Sequence, residues 1–187
     1  MSRWPRIFVD VETTGLDSSI HEIIEICIIT EWQSGSFEEW HTKIRPERIG
    51  DAHPRALEVN SYTPEAWRDA PIMAYVVNDI AARVSHGLVI GHNVAFDMGF
   101  ISAALSSYGL RRPSHRTFDT MALAYEHLPI SKVSLDAIRR FFGWSGKHAH
   151  TALTDTRDCR RLFHRLHRCS WLQRLWYRLK FTITDEP

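Results

Sequence analysis

The chain has 187 residues, 44% of them apolar, enough for one well-packed domain and too few for two comfortable ones. Its 23 Lys and Arg against 22 Asp and Glu give a net charge of +1, so composition alone supplies no electrostatic argument for a polyanionic partner. The opening residues lack a charged leader with an apolar run, no stretch approaches the length of a membrane span, and Cys27, Cys159 and Cys169 show no C-x-x-C pairing. These features predict a soluble, cytoplasmic protein without a disulfide framework or a zinc knuckle.

In chain order, residues 6–13 (RIFVDVET) and 22–31 (EIIEICIITE) are β-branched and apolar, which predicts neighbouring strands joined by the turn Gly15-Leu16-Asp17-Ser18-Ser19. A third strand is expected at 36–45, where alternation implies one wet face. Residues 46–71 read as a long connection, with one short helix starting at Thr63-Pro64-Glu65, where Thr63 would cap and Pro64 suits the first turn. Helical spacing at 72–85 (Met73, Val76, Val77, Ile80, Val84) is followed by the compact run Leu88-Val89-Ile90, a buried strand. A helix over about 94–108, a strand near 116–119, and helices near 119–127, at 134–142 and from about 151 complete the set. Three strands first and α–β alternation afterwards predict an α/β domain, a mixed central sheet of about five strands with helices on both faces.

Carboxylates fall where they are costly. Asp10 and Glu12 lie two apart in the first strand, on one face, flanked by Ile7, Phe8, Val9 and Val11, which mark a central strand and weaken the reading of two solvated edge acids. Asp97 heads the helical stripe Phe100, Ile101, Ala104, Leu105, Tyr108; it could also serve the helix dipole, although Asn93 is the better-placed cap. Asp155 stands beside the stripe Ala152, Thr156, Cys159, Leu162, Phe163, Leu166 and should also point inward. No basic residue stands near these four acids in sequence to neutralise them all, and hard divalent cations would do so with oxygen ligands. Four acids converging on two metal ions would suit phosphoryl transfer. His150, five residues before Asp155, offers a base near neutral pH, with His148 as a rival.

Asp10-Val11-Glu12-Thr13-Thr14-Gly15, then Gly91-His92-Asn93-Val94-Ala95-Phe96-Asp97, then His150-Thr151-Ala152-Leu153-Thr154-Asp155 together resemble the three motifs of the DEDDh family of 3′→5′ exonucleases, in the family's order and spacing. That family includes the proofreading epsilon subunit of DNA polymerase III, RNase T and TREX-type nucleases, and the match spans about residues 6–167. The resemblance implies a ribonuclease H-like fold and two Mg²⁺ or Mn²⁺ ions held by Asp10, Glu12, Asp97 and Asp155, with Asp10 bridging, Asp97 supporting and His150 as general base. It also implies that Thr13, Thr14, Gly15 and Leu16 lie against a 3′-terminal nucleotide, Leu16 as a wedge, with His92, Asn93 and Phe96 from the second motif nearby; for Phe96, core packing is an equal alternative. Where many relatives carry a histidine after the third strand, this chain has Asn60.

From Arg157 to Lys180 seven arginines and one lysine face a single acid, Asp158, and interleave with apolar residues. A nucleic-acid surface would look like this, and so would an amphipathic helix that snorkels its arginines. Packing is expected for 157–168. An exonuclease domain over 1–168 would leave 169–187 as a basic and aromatic extension (Trp171, Trp176, Tyr177) suited to a polymerase or other protein partner. The leading function is therefore hydrolysis of terminal phosphodiesters from DNA or RNA 3′ ends, single-stranded ones foremost, releasing nucleoside 5′-monophosphates. The alternatives are a catalytically silent nucleic-acid-binding or scaffold module, and an endonuclease or strand-transfer enzyme of the same broad fold.

Overall fold

The structure, a computed structural model, describes residues 4–111, 113, 116–147, 149–167 and 177. Three strands come first: β1 (Arg6–Thr13), β2 (Ile23–Glu31) and β3 (Phe37–Lys43). Then follow helices α1 (Pro54–Val59) and α2 (Met73–Arg83), strand β4 (Leu88–Gly91), helix α3 (Val94–Ser107) and strand β5 (Arg116–Asp119). Helices α4 (Thr120–His127), α5 (Leu135–Phe142) and α6 (Ala152–His167) complete the domain. The five strands form one sheet in the order β3-β2-β1-β4-β5. Pairing is antiparallel from β3 to β1 and parallel from β1 to β5, so the sheet is mixed as expected.

β1 is central because both faces of it are apolar. Ile7, Val9 and Val11 point into a core shared with α2 and α3 (Val76, Val77, Ile80, Phe100, Ile101, Leu105). Phe8 points the other way, into a core with Cys27, Ile29, Ala152, Cys159 and Phe163 that seats α6. The period of two then places Asp10 and Glu12 on the α6 side. A third cluster joins α4, α5 and α6 through Leu123, Ala124, Ile138, Trp144, Leu162 and Leu166.

β1 is supported unequally along its length. It pairs with β2 from Arg6 to Thr13, whereas β4 covers only Arg6 to Phe8 before ending at Gly91. The second half of β1 therefore borders a crevice at the carboxyl end of β4, where the parallel and antiparallel halves of the sheet meet. Such crevices are where open α/β sheets place their sites.

The connection 46–71 is more ordered than its composition suggests. The helix is Pro54–Val59 rather than one at Thr63: Pro54 sits at the first turn and the His53 imidazole caps by accepting from Arg55 N (3.2 Å). Thr63 Oγ1 does accept from Ala66 N (3.1 Å), but only turns follow, because Trp67 is pulled into the core and donates its indole N–H to Ile24 O (2.7 Å).

Candidate active site

Asp10, Glu12 and Asp155 each present a carboxylate oxygen, and these oxygens all lie within 4.8 Å of one another. β1 supplies the first two by its period of two, and the first turn of α6 supplies the third. Burial holds every one of these acids above the ordinary carboxylate range, and for Asp10 and Glu12 repulsion from neighbouring acids adds to it. For Asp10, burial is the largest cause, followed by the charges of Asp97 and Asp155. Glu12 is pushed up to about 8 by burial and then by Asp155 and Glu25, the residue directly opposite it on β2. Glu25 itself is buried and bonded to His41 Nε2 at 2.8 Å.

Asp97 stands behind this trio. It is buried, and its Oδ1 accepts from Val11 N (3.1 Å), a backbone donor of β1 beyond the last residue that β4 covers. Burial carries its carboxyl up to about 7, against the pull of that hydrogen bond. The approach depends on Gly91: a Cβ there would sit 3.1 Å from Asp97 Oδ2 and 3.0 Å from Val94 Cα. The Asn93 side chain does not cap α3. Asn93 takes a left-handed conformation (φ 75°), its own N–H is fixed by Asp119 Oδ1 (3.0 Å), and its side chain is left exposed.

One basic residue, distant in sequence, does reach one of the four acids. Arg139 on α5 is buried and donates to Asp155 Oδ1 (2.6 Å), Asp158 Oδ2 (2.7 Å) and Asp136 Oδ1 (2.9 Å). For Asp155, burial raises the carboxyl and Arg139 only partly offsets it. His150 occupies a left-handed position (φ 62°) just before α6, half exposed, with its Nε2 3.4 Å from Asp136 Oδ2. The imidazole thus faces Asp136, which Arg139 joins to Asp155, while the His150 backbone hydrogen-bonds to the Asp155 carboxylate. His148 lies outside the described residues.

The first-motif residues build a tight turn with their own side chains. Thr13 Oγ1 donates to Gly15 O (2.6 Å), and Thr14 Oγ1 accepts from Glu22 N (2.9 Å), so both hydroxyls are spent internally. Gly15 carries the His21 ring where a Cβ would stand, 2.2 Å from its Cδ2, so any other residue would displace that ring. Leu16 projects into solvent, 85% exposed. Asn60, the departure from the family pattern, braces this turn. Its amide donates to Thr13 O (2.9 Å) while His53 N donates to Thr14 O (2.7 Å), tying α1 to the turn.

In the second motif, His92 is a tie rather than an open contact, with Nδ1 3.0 Å from Thr120 Oγ1 and Nε2 2.6 Å from Val133 O. Burial lowers its affinity for a proton. Phe96 is half-buried against Phe100, ring centres 4.9 Å apart, which favours the packing alternative. Sequence reasoning passed over Arg139, Asp136 and Glu25. Arg139 in an amphipathic helix reads as surface, and only its partners 16 and 19 residues on reveal it.

The basic stripe of α6 is absorbed by the domain itself. Arg157 forms a two-pronged pair with Glu39 (2.6 and 2.7 Å), Arg160 bonds the buried Glu31 (2.7 Å), and Arg161 and Arg165 lie over Trp144 and Phe142. Tyr177 is buried against Phe141 and Phe142. Residues 168–176 and 178–187, with Trp171 and Trp176, lie outside the described residues.

The donor set fits a hard divalent cation. Three converging carboxylates, all with proton affinity raised by burial, offer oxygen only, and oxygen is what Mg²⁺ and Mn²⁺ take. Cys27 and Cys159, the two thiols among the described residues, are buried and held protonated by that burial.

Residues 7–163 match the RNase_T family, described as an exonuclease, and the chain belongs to it. It is a 3′→5′ exonuclease hydrolase domain with the ribonuclease H-like fold. Among its relatives, the DNA polymerase III subunit epsilon of Treponema pallidum is 31% identical over 82% of this chain and 72% of that protein. Ribonuclease T of Shewanella oneidensis is 29% identical over 84% and 79%. In fold the chain resembles E. coli exonuclease I in complex with a dT13 oligonucleotide, with a TM-score of 0.75 at 16% identity; the match covers 92% of this chain and 42% of that one. It also resembles exonuclease X in complex with 5′ overhanging duplex DNA, with a TM-score of 0.65 at 22% identity over 86% and 90%. No described helix is long and apolar enough to cross a membrane.

Proposed function

We propose that this chain removes nucleotides one at a time from single-stranded DNA 3′ ends, with RNA ends as the competing substrate, by a two-metal mechanism that uses His150 as general base. The reading is carried by the convergence of Asp10, Glu12 and Asp155 within 4.8 Å, at the crevice beside β1. Asp10 and Glu12, with Asp155 and the supporting Asp97, would hold the two ions. When bound, the ions supply Lewis acidity and charge for the attacking and leaving oxygens of an in-line displacement.

The chain's own residues do the rest. Leu16, exposed at the tip of a turn pinned by Asn60 and His53, wedges under the terminal base, and the backbone around Thr13, Thr14 and Gly15 lines the terminal nucleotide. Asn93, exposed beside the crevice, and Phe96 contribute from α3, and His92 shapes that loop through Thr120 and Val133. His150 accepts the proton of the attacking water after its ring leaves Asp136, and the product is a nucleoside 5′-monophosphate. Residues 1–168 form the exonuclease unit, and 169–187 act as a tether to a protein partner. A polymerase is the partner favoured by likeness to the epsilon subunit, and the cytoplasm is where such a complex would work.

The test compares 3′-labelled and 5′-labelled single-stranded DNA and RNA of one sequence, with Mg²⁺, Mn²⁺ or EDTA, using wild type and His150→Ala. Mononucleotide release from the 3′ end that requires both a divalent ion and His150 upholds the reading. Internal cuts or ion-independent cleavage defeat it.

A further inference from the structure

Arg139 is only 3% exposed, and its guanidinium meets three carboxylates at 2.6 to 2.9 Å. Burying a cation is costly, so each of its bonds calls for a reason. The pair with Asp158 suffices to pin α5 on α6, since Asp158 is the neighbour buried between those helices, and the pair with Asp136, three residues back on α5 itself, orients the guanidinium. The third pair is different in kind. Nη2 takes Oδ1 of Asp155, one of the three acids whose oxygens converge on a cation-sized space.

We infer that Arg139 is a resident counter-cation of the active site: it holds Asp155 by one oxygen when no divalent ion is present, and its charge opposes divalent ions when they arrive. This rests on the reading of Asp155 as a metal ligand. Any ion seated on Asp155 lies within a few ångströms of a guanidinium that burial shields from water, so the repulsion is not screened as a surface charge would be. The carboxylate trio alone would bind divalent ions more tightly than the trio with Arg139. In exchange, the metal-free domain keeps α5, α6 and Asp155 in their working positions. The same guanidinium holds Asp136, whose other oxygen faces His150, so one cation ties the ligand acid to the imidazole.

The experiment is calorimetric titration of Mn²⁺ into the full chain at fixed pH and ionic strength, for wild type, Arg139→Gln and Arg139→Lys, with melting curves in EDTA and in Mn²⁺. Arg139→Gln is expected to melt lower in EDTA yet to bind Mn²⁺ about ten-fold more tightly, the scale of outer-shell effects but opposite to the usual sign because the partner is a cation. Arg139→Lys, which keeps the charge, stays near wild type. A purely structural pair would lower the EDTA melting point without tightening Mn²⁺ binding, and an unchanged or weakened affinity in Arg139→Gln overturns the inference. If that variant does not fold, Arg139→Gln with Asp158→Asn removes the acid left buried alone and carries the same comparison. A wild type that binds no Mn²⁺ overturns the metal-ligand reading together with this inference, whereas equal binding by wild type and variant overturns this inference only.

Discussion

Glu12 lies directly opposite Glu25 in the β1–β2 pairing, two buried or half-buried acids of like charge across one rung of the sheet. Among the described residues, Glu25 has a hydrogen-bond partner of its own in the His41 imidazole. The charge of Glu25 raises the proton affinity of Glu12 across this rung, and a divalent ion on Glu12 would relieve that repulsion.

The first prediction concerns pH. Glu12 is held near 8 and Asp97 near 7, both above their values in an unfolded chain, so the folded metal-free protein binds more protons than the unfolded one between about pH 4 and 8. Stability from these groups is present at low pH and is lost as pH rises through 7 to 8. Melting in EDTA should fall by several degrees from pH 6 to pH 8.5, and Mg²⁺ should flatten the trend, because ion binding displaces the protons. A melting point that rises with pH in EDTA would contradict the assignment.

Asp10→Asn should abolish metal-dependent cleavage while leaving the metal-free melting point unchanged or higher, because the change removes one of several repelling carboxylates. Differential scanning calorimetry in EDTA and a nuclease assay on the same sample check both halves. Asp155→Asn should behave differently, losing stability, since it keeps an acceptor for the buried Arg139 but strips it of one countercharge.

His150→Ala should lower kcat by about 10²- to 10⁴-fold, the usual contribution of a general base, with Mn²⁺ affinity little changed. The His150 ring is half exposed and faces Asp136, and it is the His150 backbone that hydrogen-bonds to Asp155, so removing the ring leaves the cation ligands in place. Single-turnover rates alongside a Mn²⁺ titration separate the two effects.

Gly91→Ala should cost about 1–3 kcal/mol of stability and reduce cleavage, as expected for overpacking. The added methyl meets Val94 at 3.0 Å and Asp97 Oδ2 at 3.1 Å, so α3 must shift and Asp97 moves with it. Denaturant melts and the cleavage rate of the variant test this.

Much of the architecture was written locally. β1, β2 and β4 are short β-branched runs, α3 and α6 show helical stripes, and each strand or helix forms where its own period dictates. α1 was misplaced because Thr63 and His53 both offer capping turns, and only the demand of Trp67 for the core decides between them. The inward acids were legible because Ile7, Val9 and Val11, or Phe100 and Ile101, reveal their setting. What the sequence hid were the ties that cross between elements. Arg139 to Asp155, Asn60 to Thr13 and His92 to Val133 join residues far apart in the chain, and no local pattern encodes them.

The bond from Val11 N to Asp97 Oδ1 has a practical bearing on how this enzyme is studied. Asp97 closes a strand as well as facing the crevice, so Asp97→Ala would unmake backbone structure along with chemistry, and its silence in an assay would be ambiguous. An inactive protein meant to trap a strand end is better made at Asp10, whose carboxylate no backbone group among the described residues depends on. Asp97→Asn, which retains an acceptor for Val11, is the informative partner to it: any activity that the amide fails to restore belongs to charge alone.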